Sequence, residues 1–250
     1  MIDDFLATLV GATVAGVVGL ATLLIQQRLD SRRRLNEEYL APAFSYVMGL
    51  PRECPWGSLA DPEWSKLDSY HWLRIPAKYR LPLREMSARL EAYGQAYSHY
   101  FEFMGEKGWP SFAESVRSSL SKYLSADGTA ITARGIGIDS GATLQVQWIV
   151  VGVAPYVLTN PGNPDRAWSE LETVGPSPFY WAKQMTQSLR KADPSALQKL
   201  FESITGSLEA ATGRLVAESL RESYGKVTEQ AQIVRKLLAR RLNLSGAVGG

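Results

Sequence analysis

Phe5 to Ile25 carries no charge, and Arg28, Arg32, Arg33 and Arg34 follow close behind. No other stretch limits the possible folds of the chain so strongly. These 21 residues, wound as a helix rising 1.5 Å per residue, cover roughly 31 Å, against a hydrocarbon core of about 30 Å. The run holds no Pro, Asn or Gln, so its backbone groups can all be satisfied within the helix, as lipid requires. A retained transmembrane helix is the reading adopted, with a buried core helix and a cleaved signal peptide as alternatives. A signal peptide wants a basic start and a small-residue cleavage site. Met-Ile-Asp-Asp is acidic instead, and the run ends in Leu23-Leu24-Ile25-Gln26-Gln27.

Positive charge stays on the cytoplasmic side. The arginines all lie C-terminal to the run, which predicts an inner (plasma) membrane protein with its N-terminus outside and residues 26–250 in the cytoplasm. The chain has one cysteine, Cys54, so no disulfide can form within it, consistent with a reducing compartment. Thr8, Ala12, Ala15, Gly19 and Thr22 recur at steps of four and three. They place small side chains on one face, where membrane helices approach closely. That face is the expected association surface, toward a second copy or a partner protein. Arg28, Arg32, Arg33 and Arg34 are read as setting topology. Binding of anionic lipid is the alternative, weakened by Asp30, Glu37 and Glu38 nearby.

The expected organisation is a short outer N-terminus (1–4), the transmembrane helix (5–25), a juxtamembrane helical extension (26–48), a linker (49–61), a cytoplasmic helical domain (62–244) and a tail (245–250). The fold class is mainly α, with a small β-hairpin or sheet around 129–158. Helix starts are marked by a capping residue and Pro at Asp61-Pro62, Asn163-Pro164, Ser177-Pro178 and Asp193-Pro194. A capping box, Ser111 to Glu114, marks a helix from 111 to 124. Another helix is expected from about Pro82 to Met104. From Pro194 to about Leu242 two apolar tracks succeed one another, Leu197-Phe201-Ile204-Leu208-Ala211-Leu215 and Val216-Leu220-Tyr224-Val227-Ala231-Val234-Leu238. The shift of track places a break near Gly213, with a stutter in one continuous helix as the alternative.

Between 129 and 158, Leu144, Val146 and Trp148 alternate with Gln145 and Gln147, the pattern of a half-buried strand. Asp139-Ser140-Gly141 supplies a hairpin turn. A buried helix is one alternative. A membrane-dipping segment is the other, because Ser140 to Pro164 has no charge.

The chemistry-bearing residues are sparse. The 27 basic and 25 acidic residues leave a formal charge of +2, too little for a nucleic-acid footprint. Gly135-Ile-Gly137-Ile-Asp-Ser-Gly141 is glycine-rich but lacks the spacing and the strand–helix context of a phosphate loop. His71 and His99 are the only histidines, neither has a second ligand at metal spacing, and no metal or cofactor is expected. A thiolate pair of Cys54 with His71 or His99 is one reading, but Cys54 has no obvious helix N-terminus at its own position to activate it, and an inert, partly buried thiol is the reading adopted. No catalytic residue is assigned. Tyr93, Tyr97, Tyr100, Phe101 and Met104 stripe one helix, as core or as a contact patch. Arg235, Lys236, Arg240 and Arg241, alternating with Val234, Leu237, Leu238 and Leu242, form a basic amphipathic helix able to lie on a membrane surface. A solvated basic helix end is the other reading.

The function expected from these features is a membrane-anchored scaffold, regulator or complex subunit working through helical protein contacts. A membrane-tethered enzyme with scattered carboxylates, Tyr and His in a pocket is the second reading, and lipid or membrane-surface binding the third. The expected partners are membrane lipid and either a protein partner or a further copy of the chain, with no nucleic acid.

Overall fold

The computed structural model describes residues 2–67, 69–132, 136, 143–173 and 180–242, without the side chains of residues 2–16, 69 and 70. The chain is mainly helical, with one small antiparallel sheet. In order, the helices are α1 (Ile2–Arg34), α2 (Ala41–Gly49), α3 (Ser69–Arg74), α4 (Ala77–Glu102), α5 (Trp109–Ser119), α6 (Val146–Thr159), α7 (Pro164–Thr173), α8 (Tyr180–Ala192), α9 (Pro194–Thr205) and α10 (Ala210–Arg241). Strands β1 (Ala130–Thr132) and β2 (Thr143–Gln145) pair with Ile131 opposite Leu144. The chain divides into two compact units, one of Met1–Leu50, Asp61–Ser87 and Glu229–Gly250, the other of Pro51–Ala60 and Ala88–Thr228.

In the first unit a π-helical turn, Leu35–Leu40, joins α1 to α2. The core holds Leu40, Trp72, Ile75, Leu83, Met86, Val234 and Leu238. Trp64 packs edge-on against Tyr46, and its indole N–H donates to Ser87 Oγ at 3.0 Å. Beyond this core, Val17, Val18, Leu20, Leu23, Leu24, Ile25 and Leu29 are all more than half exposed. Among the described residues no helix is long and apolar enough to cross a membrane. The side chains of the uncharged run are described only from Val17 onward.

The second unit is built around α6. Almost every residue from Ile149 to Leu158 is buried, and α5, α7, α8 and α9 pack around it. A helix that is apolar on all sides belongs at the centre of a core. The expected small β element is present as the β1–β2 pair, but it is shorter than its alternating pattern implied. Only Leu144 of the alternating trio lies in a strand, and at Val146 the chain turns helical. The alternation straddled a strand–helix junction, and the long uncharged run after it is core helix. The Asp139–Gly141 turn and the rest of the glycine-rich loop lie outside the described residues, apart from Ile136.

Other boundaries also shift. The 111–124 helix is α5, which starts at Trp109 with Pro110 in its first turn, so Ser111 sits inside it and does not cap it. The start marked by Pro62 is a 3₁₀ turn, Glu63–Lys66. Pro82 lies within α4 and does not begin it. Asn163 caps α7 as expected, its Oδ1 accepting the Arg166 N–H at 3.0 Å. Asp193 makes no side-chain cap to α9. The Ser177-Pro178 start and the 245–250 tail lie outside the described residues.

The break in the last helical stretch falls after Thr205, at Gly206, and not near Gly213. Gly213 is inside α10 and serves close packing. A Cβ there would lie 3.0 Å from Leu158 Cδ1 and 3.1 Å from the rings of Phe103 and Phe112. The first apolar track therefore ends with α9, leaving Leu208 96% exposed. The second runs down α10, with Leu220, Tyr224, Val227, Ala231, Val234 and Leu238 buried.

Candidate functional site

The second unit carries an open apolar groove of about 480 Å³, within the size range of small-molecule sites, roughly 300–1,000 Å³. Its first wall is the end of α4, where Tyr97, Tyr100 and Phe101 share one face by their three- and four-residue spacing. A π-helical turn, Phe103–Lys107, follows and delivers Met104 and Gly105 to the same wall. Such turns interrupt regular helices at a cost and recur at functional sites. The other wall is the first two turns of α6, with Gln147, Trp148 and Val151. Trp109, at the start of α5, and Trp56 and Gly57 complete the lining. Phe101 is 64% and Trp148 50% exposed. The aromatic stripe of α4 thus divides, with Tyr93, Tyr100 and Met104 buried and Phe101 on the open side.

Trp56 is the unusual residue of this site. It is buried, yet its φ is +50°, a region that bulky side chains rarely occupy, at a cost of about 1–3 kcal/mol. The segment around it is clasped at both ends. Tyr224 Oη donates to the Pro51 carbonyl, and Tyr93 Oη donates to the Gly57 carbonyl at 2.7 Å. The two tyrosine rings pack together with centroids 5.5 Å apart.

On the other side of Trp56 is a polar cleft of about 340 Å³, lined by Arg52, Glu53, Cys54, Tyr156, Glu170, Arg221, Tyr224 and Thr228 among others. Burial pushes Glu170 up, but hydrogen bonds from Asn160 and Arg166 and the Arg221 guanidinium outweigh it and hold the carboxyl below its ordinary value. Glu170 Oε1 lies 3.0 Å from Arg166 Nε and 3.2 Å from an Arg221 guanidinium nitrogen, and Oε2 accepts from Asn160 Nδ2 at 3.0 Å. Cys54 is pushed up to about 11, mainly by burial. It is a neutral thiol at physiological pH, the opposite of an activated nucleophile. Burial also drives Tyr93, Tyr100 and Tyr156 well above the ordinary phenol value.

The structure leaves the other chemistry-bearing residues apart. His71 belongs to the first unit, its ring 6.3 Å from that of Tyr39. His99 is exposed and lines neither cavity. Among the described residues no group of three His, Cys, Asp or Glu is placed to hold a metal ion. Arg28, Arg32, Arg33 and Arg34 are exposed, and Arg33 pairs with Glu37 at 2.9 Å. Of the small-residue face, Gly19 and Thr22 are exposed, and the side chains of Thr8, Ala12 and Ala15 lie outside the described residues. In the C-terminal basic helix Lys236 and Arg240 are exposed, Arg235 is half-buried, and Arg241 Nε donates to Asn36 Oδ1 at 3.2 Å. The apolar companions Val234 and Leu238 are fully buried within the first unit.

Sequence reasoning missed Trp56, Trp109 and Trp148 as site residues. Trp56 was read as part of a linker and Trp148 as a strand position. The available signal was a Trp between Pro55 and Gly57, a costly aromatic for a segment that only connects. No family model matches the chain, and no curated protein or solved structure is significantly similar to it.

Proposed function

We propose that this chain is a single-pass membrane-anchored recognition protein. Phe5–Ile25 is the anchor, the N-terminus is outside, and the helical body acts in the cytoplasm by non-covalent contact as a scaffold, regulator or complex subunit. The observation that carries this reading is the groove itself, with aromatic walls, exposed Phe101 and Trp148, and no nucleophile or acid–base pair in its lining. Aromatic side chains concentrated in a concavity are the usual anchors of protein contacts. The exposed apolar residues from Val17 to Leu29 support the anchor, since such a helix surface is stable only when covered by lipid or another apolar face. Arg28, Arg32, Arg33 and Arg34 support the orientation. The Thr8-Ala12-Ala15-Gly19-Thr22 face adds a contact surface in the membrane for a second copy or a partner helix.

The test is the size of the native complex in mild detergent. Phe101→Asp with Trp148→Asp places two charges on the exposed rim of the groove. The wild type is expected to migrate as a complex larger than the monomer. The double variant should lose that partner while keeping its far-UV circular dichroism. Migration unchanged by the double variant would overturn the groove as the contact site.

A further inference from the structure

Trp56 lines both the aromatic groove and the polar cleft. Its indole packs against Tyr100, which lines the groove, and against Tyr156, which lines the cleft, with ring centroids 5.9 and 5.8 Å away. Both phenol oxygens are shut off from solvent; among the described residues Tyr100 Oη has no hydrogen-bond partner, and Tyr156 Oη has none but the Trp56 indole. Buried hydroxyls are ordinarily paired, so an unpaired one and one that depends on the indole itself, on either side of a single side chain, call for an explanation. The side chain between them stands on a left-handed backbone, and conformations of that kind cluster at ligand clamps and switches.

The charges of the cleft add a second observation. Glu170 is already shared between Arg166 and Arg221. That leaves, among the described residues, Arg52 with no ion pair or hydrogen bond, and Glu53 with the Thr173 hydroxyl at 3.4 Å as its hydrogen-bond partner. Trp56, Tyr156 and Tyr224 stand around the same cleft. Among the described residues, a cation without a partner, a weakly held anion and three aromatic rings match a head group bearing both charges: a phosphate for Arg52, and an ammonium for Glu53 and the ring faces.

We propose that groove and cleft are the two compartments of one site for a single-chain zwitterionic amphiphile, with Trp56 as the movable partition between tail and head. The tail lies along Tyr97, Phe101 and Trp148, and the phosphate meets Arg52. With the indole displaced, the Tyr100 and Tyr156 hydroxyls donate to oxygens of the head. This names the occupant of the groove and so rests on the groove being a recognition site.

The experiment uses the full-length chain in phosphatidylcholine nanodiscs. The probe is a lysophosphatidylcholine carrying a diazirine on its acyl chain, and crosslinked peptides are mapped by mass spectrometry. Saturable crosslinks are expected in the peptides of Phe101–Met104 and Trp148–Val151. Unlabelled lysophosphatidylcholine should compete at about one tenth the concentration needed for palmitate or hexadecanol, whose tails match but whose heads do not. Arg52→Gln, at an exposed position, should weaken that competition about tenfold, the effect of one charge-assisted hydrogen bond. Trp56→Gly removes the partition and the unfavourable backbone together, and should strengthen it.

Equal competition by all three compounds would overturn the two-compartment site while leaving the groove an apolar recognition site. Crosslinks confined to the anchor, or crosslinks that do not saturate, would overturn it as well. A loss in Trp56→Gly as large as that in Arg52→Gln would make Trp56 a fixed wall and overturn the partition. The size of the native complex, read separately, tests the groove as a protein-contact site, so the two failures are distinguishable.

Discussion

Glycines in helices separate two effects that a composition count merges. Gly213 is pressed against Leu158, Phe103 and Phe112, whereas a Cβ on Gly94 would meet nothing within 4 Å. Gly213→Ala is expected to destabilise the second unit by about 1–3 kcal/mol through overpacking. Gly94→Ala should stabilise it by up to about 1 kcal/mol, because alanine loses less backbone freedom in a helix. Denaturant unfolding of the two variants reads both signs, and a stabilised Gly213→Ala would refute the packing account. Asp193 makes the matching point for charge. It stands before α9 where a capping carboxylate is expected, yet its side chain takes other partners: Lys122, then Ser195 Oγ at 2.7 Å and Tyr123 Oη at 2.9 Å. These bonds to the charged form, that from Lys122 first, hold its carboxyl well below the usual range. A carboxylate lowered on folding stabilises the fold above its unfolded pKa, about 4, and that contribution is lost as pH falls through the folded value. Asp193→Asn should therefore narrow its stability gap to the wild type as pH is taken from 6 toward 2. A gap that stays constant would show that the pairing contributes nothing.

At the scale of elements, the second unit is tied together by polar contacts as well as by α6. Ser115 Oγ, with one proton to give, lies 3.0 Å from the carbonyls of both Ser111 and Ser203, linking α5 to α9. Glu170 on α7 gathers Asn160 from the end of α6, Arg166 from its own helix and Arg221 from α10. Its side chain is about one fifth exposed, so water screens part of the attraction. Glu170→Gln keeps the shape and removes the charge, and is expected to cost about 1–2 kcal/mol of unfolding free energy. The loss should be greatest near neutral pH, because in the wild type the carboxyl protonates in acid. A loss as large at pH 3 as at pH 7 would assign the effect to packing. The sequence marks of these helices differ in value. Asn163 caps α7, but the box at Ser111 does not start α5, because a Pro in the first turn after Trp109 serves equally well.

At the scale of the whole molecule, Cys54 offers a direct test of address. It is the chain's one thiol, and burial both shields it and pushes it up to about 11. A membrane-impermeant maleimide should leave it unlabelled in intact cells and in permeabilised native membranes, and label it only after permeabilisation and denaturation. Labelling in intact cells would reverse the proposed orientation.

Local signals sufficed for the mainly helical character and for the buried track down α10, because a 3.6-residue period and a cap are written within a few neighbouring residues. The uncharged run with its arginines is a local feature of the same kind. Other features depended on contacts between distant segments. Val146–Thr159 reads first as strand, with helix and membrane-dipping run as alternatives, until α5, α7, α8 and α9 surround it. The break in the last stretch falls at Gly206, while Gly213 lies inside α10, close to Leu158, Phe103 and Phe112. The groove is the clearest case. Its walls come from residues near 56, 100, 109 and 148, and a concavity assembled from four such distant segments has no period or motif to announce it. The sequence by itself determined the mainly helical character and where charge is absent. Only the tertiary structure decided that Trp56 stands on a strained backbone between two cavities, since that strain is held by Tyr93 and Tyr224 from far along the chain.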